Sequence, residues 1–306
     1  MIEKYVKAGK LVSKIRNDAS AMIKEGLLVL DLVEFVESEI LKSGAEIAFP
    51  CNVSINEIAA HYTSPLNDTS LIKAGDLVKL DLGAHIDGFI ADSAVTIMAP
   101  GDSLLKNLDE ETISKNQKLI EASAEGLESA IATVKAGIEV GKIGEEVQKT
   151  INSYGFNPIV NLNGHSVEQY SLHSGISVPS IKEEGTKKLK EGDVIAIEPF
   201  ATDGMGFVTD APGTYIYRFL KERPFRLTYT KRVLKTVKTN YPSLPFSIRW
   251  LNEIYQGNRL QNSLKQLVDA GAIYPFQALK EKTNSWVSQK EHTVIVEKDG
   301  CQIITE

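Results

Sequence analysis

The sequence has only two cysteines in 306 residues, Cys51 and Cys301, in no metal-binding or redox spacing. That scarcity excludes a disulfide framework and thiolate metal sites, and it points to a reducing compartment. The chain also lacks an apolar segment behind its first residues, Met1-Ile2-Glu3-Lys4, and any run approaching the ~18 apolar residues of a membrane span. A cytoplasmic location with no membrane partner is therefore expected. Positive charge is short as well: the formal net charge is -6, which argues against general nucleic-acid binding and against a DNA partner. What is present is an ordinary globular composition, with enough apolar residues for a sizeable core.

One motif occurs twice. Lys73-Ala74-Gly75-Asp76 leads into Leu77-Val78-Lys79-Leu80-Asp81, and Lys190-Glu191-Gly192-Asp193 leads into Val194-Ile195-Ala196-Ile197-Glu198. Each copy is Lys-x-Gly-Asp, an aliphatic strand, then a carboxylate. The surrounding chain repeats too. Helical periodicity runs from Ile2 to about Lys24 and from about Leu30 to Lys42, closing at Gly44. It returns from Ile113 to about Lys135 and from Gly141 to Tyr154, ending at Gly155. The repeat distance of roughly 110 to 120 residues is too long for a solenoid and fits a duplicated domain. The expected fold class is α/β (α+β), two pseudo-symmetric halves of about 1–110 and 111–306 that share one centre.

The second half carries extra chain at about 218–275. Between Arg218 and Arg249 nine Lys/Arg face a single acid, Glu222, so the rest of the protein is strongly acidic. Such a block could touch ribosomal RNA. A solvated helical face balancing an acidic body explains it more simply, and is the preferred reading. A C-terminal strand, Thr293-Val294-Ile295-Val296, completes the sheet.

The acids that end or interrupt apolar strands carry the chemistry. Asp87-Gly88 is a hairpin signal, and a turn there folds Asp92 back beside Asp81. Two carboxylates buried in apolar strands are costly without a cation. Glu198 ends its aliphatic run, Glu291 precedes the apolar His292-Thr293-Val294-Ile295-Val296, and His165 follows Gly164 on a turn. Asp87 is assigned to the turn itself, and His85 to structure. Four carboxylates balance two dications, and oxygen and nitrogen ligands without thiolate suit Mn, Fe, Co or Zn.

Six motifs in order resemble the methionine aminopeptidases over nearly the whole length. They are Ala59-Ala60-His61-Tyr62-Thr63, Asp81-x-Gly-x-His-x-Asp-Gly-x-x-x-Asp92, Gly164-His165, Leu172-His173-Ser174-Gly175, Ile197-Glu198-Pro199-Phe200 and Glu291-His292-Thr293. The insertion at 218–275 resembles the helical subdomain of the type 2 enzymes, and the short N-terminus resembles their archaeal-type form. The resemblance implies a pita-bread fold, helices on a curved, mainly antiparallel sheet around two divalent ions. It implies that Asp92 and Glu291 bridge the ions, that Asp81 chelates one, and that His165 and Glu198 hold the other.

The same resemblance implies removal of the initiator Met from nascent polypeptides whose second residue is small. Glu198 is then the general base, His173 a hydrogen-bond donor to the oxyanion, and His61 a partner of the scissile amide or leaving nitrogen. Phe49 and Leu172 would line the methionine pocket, with Tyr274 as a further candidate, and a monomer is expected. Lys290 stands where the family usually has an aromatic residue. The rival readings are a prolidase-type peptidase, a non-enzymatic relative that has lost its ligands, and a single-metal oxygenase. An extra N-terminal domain marks the first, and the intact acids oppose the other two.

Overall fold

In the computed structural model, residues 1–252, 254–255 and 257–306 are described; two positions inside the 218–275 insertion, Glu253 and Gln256, lie outside them. The chain opens with helices α1 (Ile2–Ser20) and α2 (Val29–Lys42). Strands β1 (Glu46–Ile55), β2 (Ile58–Ala60), β3 (Leu77–Ile86) and β4 (Phe89–Met98) follow, then a one-turn helix α3 (Leu104–Asn107). A second helix pair, α4 (Glu110–Thr133) and α5 (Val140–Ser153), precedes β5 (Asn157–Pro158), β6 (Gly164–Ser166), β7 (Ser177–Val178), β8 (Val194–Ile197), β9 (Phe200–Thr202) and β10 (Val208–Phe219). Then come α6 (Thr228–Asn240), β11 (Phe246–Ser247), α7 (Ile248–Asn252) and α8 (Asn258–Asp269). Strands β12 (Ile273–Glu281), β13 (Val287–Gln289), β14 (His292–Val296) and β15 (Cys301–Ile303) complete the chain.

The helices form where the apolar spacing demands them. In α2 the buried positions Val29, Leu32, Val33, Val36 and Ile40 recur every three to four residues and give one inward stripe. The chain leaves α2 through Gly44 and α5 through Gly155, both at positive φ, as a left-handed exit requires. The first helix stops at Ser20, earlier than its periodicity suggests, and Ile23 still packs into the core. Asp109 caps α4 by accepting from the Thr112 amide at 2.7 Å.

Both copies of the Lys-x-Gly-Asp motif build the same turn. Asp76 Oδ2 accepts from the Lys73 amide and Asp193 Oδ2 from the Lys190 amide, each at 2.8 Å. Gly75 and Gly192 both adopt positive φ, 91° and 88°, which a side chain would oppose. Each turn launches an apolar strand, β3 in one case and β8 in the other.

All strand pairs among the described residues are antiparallel. One sheet runs β1-β3-β4 and another β15-β14-β8-β6-β7. Separate apolar clusters lie under each helix pair: α1 and α2 cover the first sheet, while α4 and α5 pack against Ile195, Ile197, Val294 and Val296 of the second. A further apolar cluster joins Val233, Leu234 and Val237 of α6 to Leu260, Leu264 and Leu267 of α8.

A buried ion pair joins α7 to α2. Glu37 on α2 accepts from Arg249 Nη2 at 2.8 Å, Trp250 Nε1 at 2.8 Å and the Cys51 amide at 3.3 Å. Both charged side chains are almost fully buried. Burial raises the Glu37 pKa, and the three donors oppose that rise. Removing one partner of such a pair strands the other charge. Glu37→Ala is therefore expected to cost about 3–5 kcal/mol in urea unfolding; a loss below about 1 kcal/mol would show α7 to be held by its apolar contacts instead.

Candidate metal centre

The Asp87-Gly88 turn brings the first two acids together. Both residues have positive φ, 52° and 84°, the pattern of a tight two-residue hairpin. In the resulting register Asp81 lies opposite Ala94 and Asp92 opposite Gly83, so the two carboxylates are diagonal neighbours on one face. Gly83 between them leaves room for the Phe49 ring, which any side chain at that position would strike. His85 stays out of the site and accepts from the Gly88 amide at 3.1 Å, bracing the turn.

The second sheet supplies the rest. His165 on β6 lies opposite Ala196 of β8, and Ile197 at the end of β8 lies opposite His292, so His165, Glu198 and Glu291 converge. The Glu291 amide donates to the Ala94 carbonyl at 3.0 Å, which docks the second sheet onto β4. All five residues line one cavity of about 200 Å³.

Several polar atoms there have no hydrogen-bond partner among the described residues. Asp81 Oδ1, Asp92 Oδ1, His165 Nδ1 and Glu291 Oε1 are buried and unsatisfied. His165 Nε2 stands 3.7 Å from Asp92 Oδ2 and 3.6 Å from Glu198 Oε1, too far for hydrogen bonds. Such spacings suit ligands held around a cation at about 2.1 Å each. Asp92, His165 and Glu291 can each present a ligand atom within 4.8 Å of the others. The residues thus fit divalent ions in chemistry and in their unused lone pairs.

The electrostatics agree. Burial pushes the Asp81 carboxyl up to about 7. Burial first, and then repulsion among the acids, holds Asp92 and Glu291 well above the usual carboxylate range. Glu198 is raised by burial and by Asp81. Four acids this close resist shared ionisation until positive charge joins them. Burial and His173 pull His165 down to about 3, leaving a neutral imidazole fit for ligation.

Above the acids, His173 lies against His165 with ring centroids 4.3 Å apart. It is open to the cavity, yet the surrounding protein and then His61 lower its pKa to about 4. It is a neutral imidazole at pH 7, with one N–H to give. His61 holds a left-handed backbone, φ 63°, uncommon for a residue with a side chain. Its Nδ1 lies 3.2 Å from the Gln277 carbonyl. A carbonyl only accepts, so this nitrogen carries the proton and Nε2 is left as an acceptor.

Phe49 and Leu172 line the cavity. Tyr274 does not. It is 49 % exposed and makes an edge contact with Phe276, whose ring lines the wall in its place. Positions 274 and 276 share a face of β12, and only the fold decides which is nearer the site. Asn161, Asn163, Ile216 and Pro245 also line the cavity and carry no local sequence signal. Lys290 is half-buried, its pKa lowered by burial and by Arg16.

The family model for "Metallopeptidase family M24" matches residues 3–255. A methionine aminopeptidase of Methanothermobacter thermautotrophicus is 54% identical over 306 residues, covering 100% of this chain and 99% of that protein. Among solved structures, a thermophilic Arx1 superposes with a TM-score of 0.83 at 19% identity, covering 99% of this chain and 89% of the other. Methionine aminopeptidase from Thermotoga maritima gives a TM-score of 0.69 at 24% identity, covering 100% and 96%.

Proposed function

The chain belongs to metallopeptidase family M24 and has its pita-bread fold, and from that premise we propose that it is a methionine aminopeptidase. It hydrolyses the first peptide bond of polypeptides that begin with Met and carry a small second residue. The observation that carries this reading is identity of 54% to a methionine aminopeptidase over the entire chain. In this reading the halves are 1–110 and 111–306, with 218–275 inserted in the second, and the protein works as a cytoplasmic monomer.

Asp81, Asp92, His165, Glu198 and Glu291 would hold two divalent ions, of Mn, Fe, Co or Zn type. When bound, such ions polarise the scissile carbonyl and lower the pKa of a water to about 7. The chain's own residues do the rest. Glu198 takes the proton of the attacking water and passes it to the leaving amine. His173 donates its N–H to the carbonyl oxygen as negative charge develops there. His61, with Nδ1–H tied to the Gln277 carbonyl, offers Nε2 to an N–H of the substrate. The methionine side chain sits against Phe49 and Leu172, with Phe276 on the same wall.

Phe49→Ala is expected to lower kcat/KM for a Met-Ala-Ser peptide by about 10–200-fold, the range for removing side-chain contacts in an apolar pocket. An unchanged kcat/KM would take Phe49 out of the pocket. The activity itself is tested with a Met-Xaa-Ser series read by mass spectrometry. Release of Met when the second residue is Gly, Ala or Ser, and not when it is Lys or Leu, supports the reading. Preferential cleavage before Pro with no demand for Met would place the chain with the prolidases.

Lys231, Arg232, Lys235 and Lys238 form the exposed face of α6, and Lys238 pairs with Glu222 at 2.9 Å. This is the surface that a transient ribosome contact would use. Its charge also balances the acidic body, and salt-sensitive cosedimentation with ribosomes separates the two.

A further inference from the structure

Behind the metal centre, and outside its lining, lies a buried polar chain centred on Arg16. This guanidinium is 6% exposed, and among the described residues it has no carboxylate within ion-pairing distance. A charged group buried in that way needs hydrogen-bond partners. Arg16 Nη1 donates to Ser93 Oγ at 2.7 Å and to the Thr305 carbonyl at 2.9 Å, and Nη2 donates to Asn17 Oδ1 at 3.3 Å.

Both main partners lead to the ligands. Ser93 follows Asp92, and its hydroxyl, taken up on one side by Arg16, donates to the Glu291 carbonyl at 2.8 Å. The Thr305 hydroxyl accepts from the Thr293 amide at 3.1 Å and lies 2.9 Å from His292 Nδ1. Thr293 Oγ1 closes the loop: it accepts from the Asp92 amide at 2.9 Å and donates to the Asp92 carbonyl at 2.8 Å. The Asp92 and Glu291 backbones are thus tied through the hydroxyls of Thr293 and Ser93, and those hydroxyls lead on to Thr305 and to the one fixed cation, Arg16.

The helix is itself pinned against that corner. Gly9, two turns before Arg16, meets the Ile304 backbone so closely that a Cβ would collide with the Ile304 carbonyl. The Ile304 amide in turn donates to the Thr293 carbonyl at 3.0 Å. Helix α1, the C-terminal segment, β4 and β14 therefore meet at one point.

We propose that Arg16, Ser93 and Thr305 are positioning residues that fix the separation of Asp92 and Glu291, and so set the affinity of the site for its ions. The proposal rests on the reading of those two acids as metal ligands. None of the three side chains enters the cavity, and they act through the ligand-bearing backbones. Partners that orient metal ligands typically change metal affinity about 10–100-fold when removed.

The test titrates metal-stripped full-length protein with Mn²⁺ alone, following free Mn²⁺ by electron paramagnetic resonance, and records thermal unfolding of the metal-free protein alongside. Ser93→Ala and Thr305→Val are expected to weaken Mn²⁺ binding by about 10–100-fold, and Thr305→Ser to return it toward the wild-type value. Leu260→Ala, in the apolar cluster of α6 and α8, provides a protein destabilised elsewhere. It should bind Mn²⁺ as the wild type does. Unchanged affinity in folded Ser93→Ala and Thr305→Val proteins, or an equal loss in Leu260→Ala, would overturn the clamp. Failure of the wild-type protein to take up Mn²⁺ would instead remove the ligand reading beneath it.

Discussion

Glu198→Gln is expected to lower kcat for Met-Ala-Ser by about 10²–10⁴-fold even at saturating Mn²⁺, the usual contribution of a positioned proton acceptor. The amide keeps the shape and one oxygen of the carboxylate but cannot take a proton. Burial and then Asp81 raise the Glu198 pKa above the usual carboxylate range, which favours its taking up a proton. It also approaches His165 Nε2 at 3.6 Å, so the same substitution should weaken Mn²⁺ binding. Steady-state kinetics across a Mn²⁺ titration separates the two effects. If kcat recovers fully at high Mn²⁺, Glu198 is a ligand only, and the proton must travel by another group.

His173→Ala is expected to lower kcat by about 10²–10³-fold, the loss typical of one oxyanion donor. KM should change little, because the bond strengthens only as charge builds on the carbonyl oxygen. The imidazole is held neutral by its surroundings, with a pKa near 4, so the donor is present throughout the neutral range. His173→Asn keeps an N–H at a shorter reach and should retain part of the activity. Equal kcat in the wild type and the His173→Ala protein would reassign His173 to packing against His165.

Much of the site was readable because its signals are local. The Asp-Gly turn fixes where Asp81 and Asp92 fall on β3 and β4, and the observed register places both on one face. The Lys-x-Gly-Asp repeats mark the turns that launch the strands of Asp81 and Glu198. His85, assigned to structure because it sits beside the turn, accepts from the Gly88 amide.

What escaped was not local. Phe276 and Tyr274 share a face of one strand, and only the assembled fold decides which ring meets the cavity. Ile216 lies on β10 and Pro245 between α6 and β11, and the tertiary structure brings both to the wall. Arg16 lies on an amphipathic helix 77 residues from Ser93 and 289 from Thr305. Within α1 its charge reads as one more solvent-facing residue, and only the assembled fold shows it buried.

On the proposed mechanism, five side chains drawn from both sheets form one hydrolytic site that needs divalent metal. The most direct measurement is methionine release from Met-Ala-Ser by metal-stripped protein as Mn²⁺ is added in known ratio to the chain. No release is expected without metal, and the rise should end near two ions per chain. Full release from protein stripped of metal and kept in excess chelator would contradict that mechanism.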